Sequence, residues 1–191
     1  MSAESKKTLL NRLGRGAFIL NLIRIIFIAA IVAGTLNVLC FQLVRIEQSS
    51  MNPTLKDGDE VFLFKAAYFF TQPKSGDVII FKSRTDSKIN YVKRVIGLPG
   101  DTIEIAGGKV LRNGVELNEP YLPDITQGSY SITVPSGQYF VMGDNRNFSM
   151  DSRNALIGCI TKDQILGKVL FSLQPYKKLE KYSHSYANGT A

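Results

Sequence analysis

A single histidine and two cysteines in 191 residues close off several kinds of chemistry. The histidine, His184, stands in KYSHSYANGTA, a polar stretch of the sort that frays at the end of a domain. A Ser-His-Asp triad or a histidine-bound metal is therefore not expected. Cys40 and Cys159 are too few for a disulfide framework or a cysteine-bound zinc site, and Cys40 sits inside an apolar run. Neither a bridge between them nor a redox compartment follows. The chain also lacks an S-x-x-K motif, an internal repeat and a low-complexity linker. No metal and no cofactor are expected.

Charge is not scarce, but it is unevenly placed. The net charge is +7, and Lys6, Lys7, Arg12, Arg15 and Arg24 against Glu4 give residues 1–24 a net +4. A nucleic-acid binder would carry its excess on the folded domain. Here it precedes IIFIAAIVAGTLNVLCFQLV, residues 25–44, which contain no formal charge. A helix needs about 20 such residues to cross a hydrocarbon core of roughly 30 Å. A cleavable signal peptide has an apolar part of only about 7–15 residues. The following QLVRIE is a poor cleavage site, so residues 25–44 are expected to be an uncleaved transmembrane signal anchor. Thr35, Asn37 and Gln42 are the features that would suit a buried core helix instead. Basic residues ahead of the span place the N-terminus in the cytoplasm, beside anionic lipids, and residues from 45 onward outside.

After residue 45 the pattern turns to short β-like runs separated by turns. EVFLFK, GDVIIFK, YVKRVIG, YSITVPSGQYFVMGD and LGKVLFSL are rich in β-branched and aromatic residues. Gly107-Gly108 and Asn113-Gly114 are hairpin dipeptides. The expectation is mostly β: one antiparallel domain over residues 45–178, with a polar tail at 179–191. Residues 61–70, VFLFKAAYFF, are expected in the core, with the alternative that part of them rests at a bilayer interface.

The stretch EQSSMNPTL places Ser49 and Ser50 just past the apolar run. A hydroxyl becomes a nucleophile only when something takes its proton. Without histidine, a lysine can serve if dry surroundings lower its pKa from about 10.4 by roughly 3 to 5 units. Lys93, flanked by Tyr91, Val92, Val95 and Ile96, is the lysine in such a setting. Strand alternation groups it with Tyr91 and Val95 and turns Arg94 the other way, toward solvent. An ordinary edge-strand lysine has the same local pattern.

A second dense cluster, MGDNRNFSMDSRN, gathers Asp144, Arg146, Ser149, Asp151 and Arg153. It lacks the spacing and closing glutamate of a calcium loop. As a glycosidase pair, Asp144 and Asp151 would both be held ionised by neighbouring arginines, which disfavours a general acid. A polar loop tied by Asp–Arg pairs, holding hydroxyls near an active site, fits its charge balance.

SMNPTL after a membrane span, SGDVIIFK, YVKRVIGLPGD and GDNRNFSMDSR succeed one another in the order found in type I signal peptidases, which the chain resembles from about residue 17 to 175. That family consists of membrane-bound serine endopeptidases that remove signal peptides. The resemblance implies a signal-peptidase/SOS-repressor-like β fold, with Ser50 as nucleophile, Lys93 as general base and Ser149 as the hydroxyl that orients Lys93. It makes Asp144, Arg146, Asp151 and Arg153 structural salt-bridging residues, and it places Ile46, Met51, Leu55, Tyr91 and Val92 along the substrate pockets. Exported preproteins cut after small residues are the implied partners, with the translocation machinery nearby, no nucleic acid, and the plasma membrane as location. Gln48 departs from the serine or glycine that many members carry two positions before the nucleophile. An SOS-repressor protease would bring a DNA-binding domain where this chain has its apolar run. A membrane-anchored β-domain that binds peptides without cutting would explain the anchor and the β pattern, but not SM, the apolar-flanked lysine and the GDNR loop together.

Overall fold

The computed structural model describes residues 3–86, 88–173 and 176–178, with backbone alone for 3–17, 36 and 176–178. His184, the expected tail 179–191 and the side chains of Lys6, Lys7, Arg12 and Arg15 lie outside the described residues. The chain divides into two compact units after Cys40.

The first unit is helix α1, Ala3–Cys40. Within it Phe18–Cys40, 23 residues of mean hydropathy 2.3, is long and apolar enough to cross a membrane. Phe18, Ile25, Phe27 and Ile31 are all exposed rather than packed in a protein core. The helix stops at Cys40, short of the residue 44 expected from the apolar run. Residues 41–44 open strand β1, Phe41–Arg45, where Phe41 stands opposite Phe64 and its ring stacks on those of Phe62 and Phe64. An unbroken apolar run conceals such a change, because a helix and a buried strand want the same residues.

The second unit is antiparallel β throughout its described pairings. Strands β2 (Glu60–Phe64), β3 (Val78–Lys82) and β4 (Asn90–Gly97) lead into β5 (Thr102–Ala106), β6 (Lys109–Arg112), β7 (Val115–Glu116) and β8 (Tyr130–Thr133). Then come β9 (Gln138–Met142), β10 (Ile160–Thr161), β11 (Ile165–Leu173) and β12 (Tyr176–Lys178). The larger sheet runs β1-β2-β11-β3-β4-β9-β10, with β12 also on β11; the smaller runs β7-β6-β5-β8. The smaller sheet is thus an excursion between β4 and β9, which are neighbours in the larger one.

Patterning explains the two sheets. In β5, Ile103 and Ile105 are buried while Thr102, Glu104 and Ala106 are exposed, the alternation of a half-buried strand. In β3 the run VIIF is buried on both faces: Val78 and Ile80 join one core cluster, Ile79 and Phe81 another. Asn113 and Gly114 both take positive φ, 54° and 78°, and close the two-residue β6–β7 hairpin as that dipeptide predicts. Only part of residues 61–70 lies in the core. Val61, Leu63 and Tyr68 are buried, whereas Phe69 and Phe70 are exposed.

Candidate active site

Ser50 is held from its C-terminal side. Met51 and Leu55 are fully buried in the cluster that includes Ile46, Ile80 and Val92, and Leu55 N–H donates to the Met51 carbonyl at 2.9 Å. These apolar plugs anchor the turn from which Ser50 projects. The Ser50 carbonyl accepts from Asn145 N–H at 2.9 Å, tying the turn to the loop after β9. Gly143 stands where a Cβ would overlap both that carbonyl oxygen and Ser149 Oγ, so the close approach requires glycine.

Lys93 arrives from the middle of β4, opposite Ile79 of β3. It is 1% exposed and Ser50 is 7% exposed, yet 43 residues apart in sequence they meet: Lys93 Nζ donates to Ser50 Oγ at 2.6 Å. Nζ also donates to the Val92 carbonyl at 3.1 Å and lies 5.6 Å from the centroid of the Tyr91 ring. Burial lowers the Lys93 pKa to about 8, against the opposing pull of Asp151 and Asp144. An amine so poised loses its proton around pH 8. When it is neutral the short contact reverses, and the hydroxyl donates to nitrogen.

Arg94 does not face solvent as alternation suggested. It is 2% exposed, donating to both oxygens of Asp144 (2.8 and 2.6 Å) and to the Gly76 carbonyl (3.0 Å). The reason is that β4 from Val92 to Gly97 is buried on both faces, so no side of it is available to water. Burial works against its charge, but the bonds to Asp144 more than offset this and raise its pKa.

The second cluster is knit together by ion pairs. Asp151 pairs with Arg153 inside the loop, and its Oδ2 also accepts from Gly143 N–H at 3.1 Å. Arg146 pairs with Glu119, a residue the sequence did not single out. Ser149 Oγ is buried without a hydrogen-bond partner, and so does not make the expected bond to Lys93. Among the described residues no group of three His, Cys, Asp or Glu side chains is arranged to hold a metal.

A cavity of about 380 Å³ is lined by residues 44–48 and 88–92 together with Ile80. Ile46, Tyr91 and Val92 are among its walls, as is Gln48. Met51 and Leu55, expected beside a substrate, instead lie beneath with no exposed surface, because the apolar cluster under the turn takes them first. Lys88, Ile89 and Asn90 line the cavity unforeseen; a polar turn ahead of an apolar strand carries no signal of its own.

Comparison with known proteins adds to this geometry. The family model described as signal peptidase, peptidase S26, matches residues 19–174. Signal peptidase I of Bacillus licheniformis is 36% identical over 170 residues, 83% of this chain and 90% of the relative. Signal peptidase I P of Bacillus subtilis subsp. natto is 41% identical over 167 residues, 82% of this chain and 89% of the relative. A crystal structure of a signal peptidase I from Enterococcus faecalis V583 matches with a TM-score of 0.46 and 33% identity, over 51% of this chain and 97% of that one. The class so defined is that of serine peptidases with a membrane anchor. Within it, the chain belongs to the signal peptidase family, peptidase S26.

Proposed function

We propose that the protein removes signal peptides from exported preproteins, using Ser50 as nucleophile and Lys93 as general base. The observation that carries this reading is the 2.6 Å contact between a buried amine and a hydroxyl, Lys93 directly following the cavity-wall residue Val92 and Ser50 standing two residues past Gln48. Neutral Lys93 takes the Ser50 proton as Oγ attacks the scissile carbonyl. The ammonium then protonates the leaving amine, and lysine-activated water hydrolyses the acyl-enzyme. Ser149 Oγ is buried without a partner and crowds the same side of Gly143 as the Ser50 carbonyl, which supports a role as acceptor for the ammonium once Ser50 is acylated. The Ser50 N–H, with Gln48 alongside in the cavity wall, supplies donors for the oxyanion.

The substrate is read as an extended strand. β1 is the outer strand of the larger sheet, and residues 46–48 continue from it. Residues 90–93 of β4 pair with β3 on one side, while pairing with β9 begins only at Arg94. Two open backbone edges therefore flank the cavity, one leading to Ser50 and the other to Lys93, as strand addition needs. An extended peptide turns alternate side chains to one face. That is why the residue before the cut and the one two earlier would both have to be small. The basic N-terminal segment on the cytoplasmic side would put this domain on the outer face of the plasma membrane. The test is cleavage of a preprotein after an A-x-A site by the detergent-solubilised chain. Ser50→Ala and Lys93→Met, each still folded, are expected to abolish it. Full activity in either would refute the assignment.

A further inference from the structure

Behind the Ser50–Lys93 pair lie three guanidiniums and three carboxylates, matched as Arg94–Asp144, Arg146–Glu119 and Arg153–Asp151. Five of the six come from β4 or the loop after β9. Glu119 alone belongs to the segment between β7 and β8 of the smaller sheet. It accepts from Arg146 Nη1 at 2.8 Å and Nη2 at 2.5 Å, and from the Tyr121 hydroxyl at 2.6 Å. Thr126, on the same segment, gives Arg146 a further acceptor at 3.0 Å. The Tyr121 ring covers the Arg94 guanidinium, 4.1 Å from centroid to carbon.

We propose that Glu119 and Tyr121 are positioning residues for the Ser50–Lys93 pair, through which the smaller sheet holds the geometry and charge balance of the site. This rests on Ser50 and Lys93 acting as nucleophile and base. Each arginine the segment touches leads to one member of the pair. Arg94 is one peptide bond from Lys93, and its bonds to Asp144 and Gly76 pin that stretch of β4. Arg146 Nε donates to the Gly143 carbonyl at 3.0 Å, in the loop whose Asn145 N–H holds the Ser50 carbonyl. A buried charge that loses its partner draws on whatever opposite charge is near. Without Glu119, Arg146 would turn to Asp144 and Asp151, the two carboxylates that favour the charged form of Lys93. The other groups facing Lys93 are the Ser50 hydroxyl, the Val92 carbonyl and the Tyr91 ring, and none carries a compensating charge.

The experiment is the pH dependence of preprotein cleavage by the detergent-solubilised full chain, comparing wild type with Glu119→Gln, Glu119→Asp and Tyr121→Phe, and with folding checked by urea titration. Glu119→Gln is expected to lower kcat by up to about a hundredfold, the scale of a small misplacement of reacting groups. KM should stay within about twofold, and the acid limb of the profile should move to lower pH. Glu119→Asp should return the limb toward its wild-type position, and Tyr121→Phe should move it in the same direction by less. A limb that stays put in all folded variants, with kcat lost only in proportion to unfolded protein, would overturn the proposal. Should Glu119→Gln not fold, Tyr121→Phe decides alone, an unmoved limb again counting against it. Retained cleavage in Ser50→Ala or Lys93→Met would instead bring down the underlying dyad, a result these variants do not mimic.

Discussion

Replacing Lys93 by methionine should make the protein more stable while making it inactive. A free lysine holds its proton until pH 10.5, but in the folded chain Lys93 releases it at about 8. Below pH 8 both folded and unfolded chains carry the proton, and the folded chain bears the full penalty of a dry ammonium. The difference between 10.5 and about 8 is worth roughly 3 kcal/mol at about 1.4 kcal/mol per pH unit. Between 8 and 10.5 the unfolded chain binds more protons, so wild-type stability rises with pH across that window. Methionine fills a similar volume without a charge. At neutral pH Lys93→Met should therefore be the more stable by roughly 3 kcal/mol, or a melting temperature about 6–12 °C higher for a domain of this size. The advantage should shrink by more than half near pH 9.5 and vanish above about 10.5. Urea titrations of both detergent-solubilised chains at several pH values would measure it. A difference that is independent of pH would refute the reasoning, as would a less stable variant at neutral pH.

On the proposed assignment the same titration sets the activity profile: as general base Lys93 must be neutral, so kcat/KM should climb about tenfold per pH unit and level off above pH 8, as rates against pH would record. Gly143→Ala puts a methyl group into the Ser50 carbonyl and Ser149 Oγ, and should cost at least about a hundredfold in kcat together with roughly 1–3 kcal/mol of stability in a urea titration. Arg94→Met leaves Asp144, which is wholly buried, without its partner, and should lower stability by about 3–5 kcal/mol in a urea titration.

What the sequence made legible was local chemistry. Gly107-Gly108 and Asn113-Gly114 announce their hairpins because a two-residue loop with positive φ has few other solutions. Lys93 stood out because its apolar neighbours leave an ammonium no water, and the structure buries it. Arg94 misled because alternation assumes a strand with one wet face, and the packed flanks Val92, Val95 and Ile96 were the available warning. Glu119 was invisible for a different reason. Its partner Arg146 is 27 residues away, and a glutamate in a Pro-containing polar stretch has no pattern to mark it. The end of α1 escaped for the reason that makes Phe41 stack on Phe64: apolar residues serve a bilayer and a sheet equally well.

The cavity between residues 44–48 and 88–92 also bears on when the enzyme can act. On the proposed reading, a substrate strand enters between two backbone edges as a single ribbon of polypeptide, a shape that a compact globule does not offer. Timing would then discriminate as well as sequence. A junction already wrapped into a finished domain would be refused whatever its residues, and the cut would have to come while the emerging chain is still slack.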